Sequence, residues 1–103
     1  MRAATLNGAN FENAQLSYTD LEDVQAEQAT FDNASLRYAF IMYANLADSS
    51  FRHADLYGAW LHVVDLWGTD LTGASLEAAE VFNMALIYTE YAQLGCSGHA
   101  LCQ

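Results

Sequence analysis

The chain has 103 residues, 53% of them hydrophobic, and sets thirteen Asp and Glu against three Arg and no Lys, for a formal net charge of −10. That sign excludes nucleic acid as a direct ligand, because phosphate binding needs a cationic surface, and makes a basic protein surface the fitting partner. Proline is absent, no Gly/Ser linker divides the sequence and no apolar run reaches the about 18 residues of a membrane span. One domain is expected, with no membrane segment and no targeting segment, hence cytoplasmic by default.

From Leu6 to Tyr91 every fifth residue is apolar, eighteen times in succession. Two residues before each stands a small one, Ala at most positions and Thr or Ser at 19, 49, 69 and 89, with Val24, Val64 and Met84 as exceptions. Five is neither a helical nor a strand period. A helix would scatter these residues around its circumference, and a strand would send alternate ones to opposite faces. The chain must therefore turn once per pentapeptide, with the large and the small residue both inward, and successive coils must stack at about 4.8 Å so that their backbones hydrogen-bond.

The units Ala9-Asn10-Phe11, Thr19-Asp20-Leu21, Ala44-Asn45-Leu46, Ala54-Asp55-Leu56 and Thr69-Asp70-Leu71 resemble the Ala-Asp/Asn-Leu-x-x motif of the pentapeptide-repeat proteins. The resemblance implies an all-β fold, a right-handed quadrilateral β-helix of four pentapeptides per coil and about 4.5 coils. It is specific for fold and nearly silent about function. Residues twenty apart match in kind, as four sides require: Phe11, Phe31 and Phe51, continued by Leu71 and Tyr91; Leu16, Leu36, Leu56 and Leu76; Leu6, Leu46, Leu66 and Leu86; Leu21, Ile41, Leu61 and Val81. Stacked rings in the Phe column read as core.

The first coils are acidic. Glu12, Asp20, Glu22, Asp23, Glu27 and Asp32 lie between Arg2 and Arg37 with no basic residue among them. Such a surface supplies solubility without any partner. Some pentapeptide-repeat proteins resemble a B-DNA rod in size and charge and occupy the DNA-binding saddle of type II topoisomerases such as gyrase. This chain shares their sign of charge. It departs from them in length, roughly 22 Å at strand spacing, and in lacking a long C-terminal helix for two-fold extension, so mimicry requires end-to-end dimerisation. Met1-Arg2-Ala3 runs straight into the first repeat without a cap, which favours end stacking on another copy or continuation in a longer chain.

The middle coils are individual on one side only. Around Leu21, Ile41, Leu61 and Val81, the outward residues are Phe40, Met42, Tyr43, Trp60, His62, Val63 and Phe82, flanked by Tyr18 and Tyr38. Large apolar groups at positions that are usually polar predict a patch beyond what monomers leave exposed, with Asp20, Glu22, Asp23 and Glu80 at its rim. Self-association, a ligand or foreign partner, and a covering tail or a stabilising ladder are the three readings of such a side. His62 at its centre can act as a general base or ligand donor, oriented by Glu80 or Tyr43, but the repeat sets no nucleophile beside it and packing is the simpler role. Trp67, Tyr57 and Ile87 lie on other sides as scattered surface hydrophobes.

The last ten residues leave the motif, which divides the chain into a β-helix over 1–93 and a cap or degenerate half-coil over 94–103. Cys96 falls in the Leu76 column by counting. Cys96, His99 and Cys102 have the spacing C-x-x-H-x-x-C, which matches no common zinc module and lacks a fourth ligand. Reduced structural thiols are expected. A Cys96–Cys102 disulfide, which implies an oxidising compartment, and a weak metal site are the alternatives. No cofactor is expected and no catalytic set assembles, so the sequence predicts a non-catalytic solenoid that binds a protein partner or itself. A gyrase-directed DNA mimic is the runner-up, and activity at His62 and Trp60 a distant third.

Overall fold

The computed structural model describes residues 1–82, 95–98 and 102. Each pentapeptide is a side and a corner. The inward residue opens a β-turn closed by the next small residue, as where Ala9 N–H donates to Leu6 O at 3.0 Å and Ala59 N–H to Leu56 O at 3.0 Å. A type II turn needs a positive φ at its third residue, and every fifth residue from Ala3 to Ala78 has one. Glycine fills only four of these positions, at Gly8, Gly58, Gly68 and Gly73, while Asn13, Tyr18, Asp23, Tyr38 and others hold φ between 54° and 63°. Left-handed backbone is unfavourable for such residues. The stacking holds them there, because corner N–H groups donate to the next coil: Asn13 to Asp32 O at 2.9 Å, Tyr18 to Arg37 O at 2.9 Å.

The Asp or Asn of the motif has a local task. Asn10, Asp20, Asn45, Asp55, Asp65 and Asp70 each accept, through Oδ1, the backbone N–H two residues on, at 2.9–3.1 Å. This Asx hydrogen bond meets a donor at the start of the turn that the coil geometry leaves free.

Between coils the chain pairs in parallel with itself twenty residues later, from Thr5 with Gln25 to Asp55 with Ser75. On one side the pairing lengthens into three parallel strands, β1 (Phe40–Met42), β2 (Trp60–His62) and β3 (Glu80–Phe82), in the order β1-β2-β3. Phe40, Trp60 and Glu80 stand in register, as do Met42, His62 and Phe82. The corners after β1 and β2, at Tyr43 and Val63, bend without the i to i+3 hydrogen bond found at the other corners.

The core is the inside of the coil. Phe31 is buried and stacked between Phe11 at 5.2 Å and Phe51 at 4.6 Å, with interplanar angles of 14° and 12°. Leu71 ends the ring column, and an apolar void of about 10 Å³ opens among Phe51, Leu56, Leu61, Leu66, Leu71 and their neighbours. Val24, an exception to the small-residue rule, precedes Ala26, an exception to the large one; both are buried, so the two swap volumes within one side. The buried hydroxyls of Ser49 and Thr69 both donate to Leu46 O, at 2.6 and 2.8 Å.

Near the C-terminus the register changes. Ser97 pairs with Ser75, twenty-two residues back rather than twenty. Cys96 therefore takes the small inward place that follows Ala74, not the Leu76 column to which counting assigned it. Cys96 and Cys102 are joined by a disulfide with Cα atoms 5.1 Å apart. This corrects the expectation of reduced thiols, and it removes two of the three donors of the weak metal candidate, since a bonded sulfur offers no thiolate. His99 lies outside the described residues, as do Met84, Leu86, Ile87, Tyr91 and the boundary expected between 93 and 94. No group of His, Cys, Asp and Glu suited to a metal converges among the described residues. Among them, too, no helix is long and apolar enough to cross a membrane.

Candidate docking face

The strand side carries the aromatic residues because alternation along a strand puts Ile41, Leu61 and Val81 inward and their neighbours outward. Phe40, Trp60, Tyr43, Val63 and Phe82 are all exposed, the last at 60% of its surface, while Met42 and His62 are half-buried between them. The seven residues singled out in the sequence thus lie together on one side. The rings touch: Phe40 to Trp60 at 5.6 Å, Trp60 to His62 at 5.5 Å and His62 to Phe82 at 5.6 Å between centroids, all tilted. Tilted contacts of this kind add modestly to stability and leave outer ring faces open to a partner.

His62 sits between Trp60 and Phe82. Its Nε2 is shielded from solvent and finds no hydrogen-bond partner among the described residues, and neither Glu80 nor Tyr43 orients it through that atom. A buried nitrogen left unmet costs about 1–3 kcal/mol. A shallow open depression lined by His62, Ala79, Glu80, Val81 and Phe82 lies beside it.

Tyr18 and Tyr38 line the preceding corner, stacked at 5.2 Å. Tyr38 meets Tyr57 edge-on at 5.7 Å, and the Arg37 guanidinium lies 4.5 Å from the Tyr57 ring centre. Room for Tyr38 comes from Gly58, where a Cβ would stand 2.6 Å from the ring. This tyrosine tier joins the patch to the preceding side of the solenoid. Counting identified Tyr38 as a flank but left Tyr57 as a stray hydrophobe.

The acidic residues divide over three sides. Asp20, Glu22 and Asp23 share the aromatic side, where they precede Phe40, Met42 and Tyr43 by one coil; Glu12 and Asp32 lie over the Phe column, and Glu27 over the Leu46 column. Several are engaged. Arg2 bonds Glu22 and approaches Asp20 at 4.0 Å, Asp32 accepts the Arg52 N–H at 2.9 Å, and Glu27 accepts from Asn45 at 2.9 Å. Arg37 pairs with Asp55 and Arg52 with Asp70, each at 2.9 Å, so every arginine stands against a carboxylate. Hydrogen bonding and attraction to Glu22 hold the Arg2 guanidinium above its usual range. Burial works to raise the Asp70 carboxyl, but hydrogen bonds from Thr72 and the Arg52 charge outweigh it and hold the group below its ordinary range. Exposed pairs of this kind set register more than stability.

Trp67 was read as a lone surface hydrophobe. It borders an open depression with Glu27, Asn45, Ala47, Asp48 and Asp65, on a side where Ala47 leaves the surface low.

Residues 1–33 and 31–68 match the family described as Pentapeptide repeats (8 copies). No curated protein sequence matches the chain. Among solved structures it is similar to the pentapeptide repeat protein Rfr23 from the cyanobacterium Cyanothece 51142, at 25% identity and a TM-score of 0.81 over 96% of this chain and 63% of that one. It is similar also to a pentapeptide repeat protein from the Arabidopsis thaliana thylakoid lumen, at 28% identity and a TM-score of 0.58 over 81% and 61%. The chain therefore spans less than two thirds of the length of these two relatives. Both carry the β-helix seen here.

Proposed function

From the premise that the chain belongs to the pentapeptide-repeat family, we propose that it is a non-catalytic binding module whose aromatic side docks a protein partner. The observation that carries this reading is the exposure of Phe40, Tyr43, Trp60, Val63 and Phe82 together on the three-stranded side. Aromatic residues dominate interface cores, and a rigid parallel ladder presents them without an ordering cost on binding. Affinity capture from an extract of the source cells tests it. Proteins held by the wild type and by Trp67→Ala, but lost from Trp60→Ala with its circular dichroism unchanged, support the face. Identical capture by all three contradicts it.

A second reading, a DNA mimic directed at the basic saddle of gyrase, is supported by the net charge of −10 and by the engagement of all three arginines with carboxylates. It runs through charge and so weakens with salt. Reversing Glu12, Glu22 and Glu27 to Lys must then abolish any effect on supercoiling. A wild-type chain without effect at micromolar concentration in low salt removes this reading.

For the compartment, the Cys96–Cys102 bridge supports an oxidising environment over the cytoplasmic one expected from the sequence. Alkylation in freshly lysed source cells tests it: both thiols reacting before any reductant is added restores the cytoplasmic reading.

A further inference from the structure

We infer that the occupant of the aromatic side is an extended basic segment, with cationic side chains flanking an apolar one, and not a second copy of this chain. The inference rests on the docking reading given above and adds the partner's chemistry. Its basis is the order of residues along the solenoid axis. Asp20 pairs with Phe40, Phe40 with Trp60 and Trp60 with Glu80, so the column runs acid, ring, ring, acid. The adjacent column begins on the same coil at Glu22 and runs through Met42 and His62 to Phe82. Asp23 stands in the corner line below Tyr43. The Asp20 column is thus apolar in the middle and acidic at both ends, while the adjacent column is acidic at its Glu22 end and closes on the exposed Phe82.

This symmetry of charge decides between the occupants. A two-fold pair presents the same face from each copy. Antiparallel, the Asp20 end meets the partner copy's Glu80 end; parallel, each end meets its own kind. With the two strips aligned, both arrangements bring carboxylates against carboxylates. Among the described residues the one cation at the strip is Arg2, already held by Glu22, and it leaves the three acids there in excess. Glu80 is exposed and makes no ion pair among the described residues. Like charges brought together across an interface oppose association, whereas a cationic partner is steered onto the same face.

Spacing supplies the rest. Asp20 and Glu80 are three coil steps apart, about 14 Å at strand separation, and four residues of extended chain cover about 13 Å. A segment laid along the axis therefore sets residues one and five over the two carboxylates and residue three over Phe40 and Trp60. The outer faces of those rings also accept a guanidinium or ammonium. The sequence class is basic-x-apolar-x-basic.

The test uses the full chain, labelled with nitrogen-15, titrated with a synthetic Arg-Ser-Leu-Ser-Arg peptide, its Glu-Ser-Leu-Ser-Glu counterpart and a neutral Ser-Ser-Leu-Ser-Ser control, with sedimentation run in parallel. The basic peptide is expected to shift the Trp60 indole N–H and the β1–β3 amides while leaving the Trp67 indole in place. Its affinity is expected to fall roughly tenfold in Trp60→Ala and severalfold, by about the same amount as raising NaCl from about 50 to about 500 mM, in Glu80→Gln. The acidic peptide should shift nothing. If the neutral peptide binds as well as the basic one, or the chain dimerises through Trp60 while the basic peptide leaves it untouched, the basic occupant is wrong and the docking face stands. If neither peptide nor self-association touches Trp60, while a captured partner still depends on Trp60, the segment chemistry alone fails. If that dependence is absent too, both readings fall.

Discussion

Removing the ring of Phe31 tests whether the inside of the coil is what holds it together. Phe31 is 1% exposed and stacked on both faces, by Phe11 at 5.2 Å and Phe51 at 4.6 Å. Burying such a side chain contributes about 1.5–3 kcal/mol, and each of two ring contacts adds about 0.5–1.5 kcal/mol. Phe31→Ala should therefore cost about 4 kcal/mol, within the usual span for this truncation and a large part of the about 5–15 kcal/mol of a small domain. Phe31→Leu keeps most of the volume and loses both ring contacts, so about 1–2 kcal/mol is expected. Phe82→Ala, on the exposed side, should change stability by about 0.5 kcal/mol or less. Urea unfolding followed by far-ultraviolet circular dichroism measures all three. Equal midpoints for Phe31→Ala and Phe82→Ala would refute the inward and outward assignment.

Gly58→Ala should cost about 1–2 kcal/mol for its left-handed backbone and a further amount for displacing Tyr38, because the new Cβ would stand 2.6 Å from that ring. Gly8→Ala, with nothing within 4 Å of its Cβ, carries the backbone cost alone. In thermal unfolding the difference between the two should vanish in a Tyr38→Ala background, and a difference that persists there would contradict the account of Gly58. Asp70 supplies a pH test. Its folded pKa is lowered, so the stability it contributes is fully present above the ordinary carboxylate range and is lost as pH falls through and below that range. Asp70→Asn should flatten that limb of a denaturation-against-pH curve, and an unchanged limb would show that Thr72 and Arg52 do not hold the charge.

The period of five, legible in the sequence, settles the side and corner scheme, the inward columns and the twenty-residue step, because a fixed register allows one way of burying two residues in five. It also gathers Phe40, Trp60, His62 and Phe82 onto one side, since columns follow from counting. What counting cannot supply is local. The Asx hydrogen bonds of Asp55 or Asp70 depend on turn geometry, not on the period. The Val24 and Ala26 exchange preserves volume within one side while breaking the pattern at both positions. Cys96 was misplaced because the two-residue shift between Ser75 and Ser97 breaks the count, and the same shift accompanies its bond to Cys102. Column counting is blind to Tyr57 for a related reason: its contact with Tyr38 is edge-on and joins neighbouring positions of one corner on successive coils.

The central claim, that the three-stranded side stands open in the free protein and awaits a partner, is tested most directly by acrylamide quenching of Trp60 in a Trp67→Phe variant shown by sedimentation to be monomeric. Trp60 is 39% exposed in the structure, with Phe40 and His62 covering part of its ring. The account predicts quenching well above that of a buried indole, and a Trp60→Ala chain that unfolds at nearly the wild-type urea concentration. An indole shielded from acrylamide in the monomer, together with a strongly destabilised Trp60→Ala, would mean that the chain itself occupies this side and that no partner docks there.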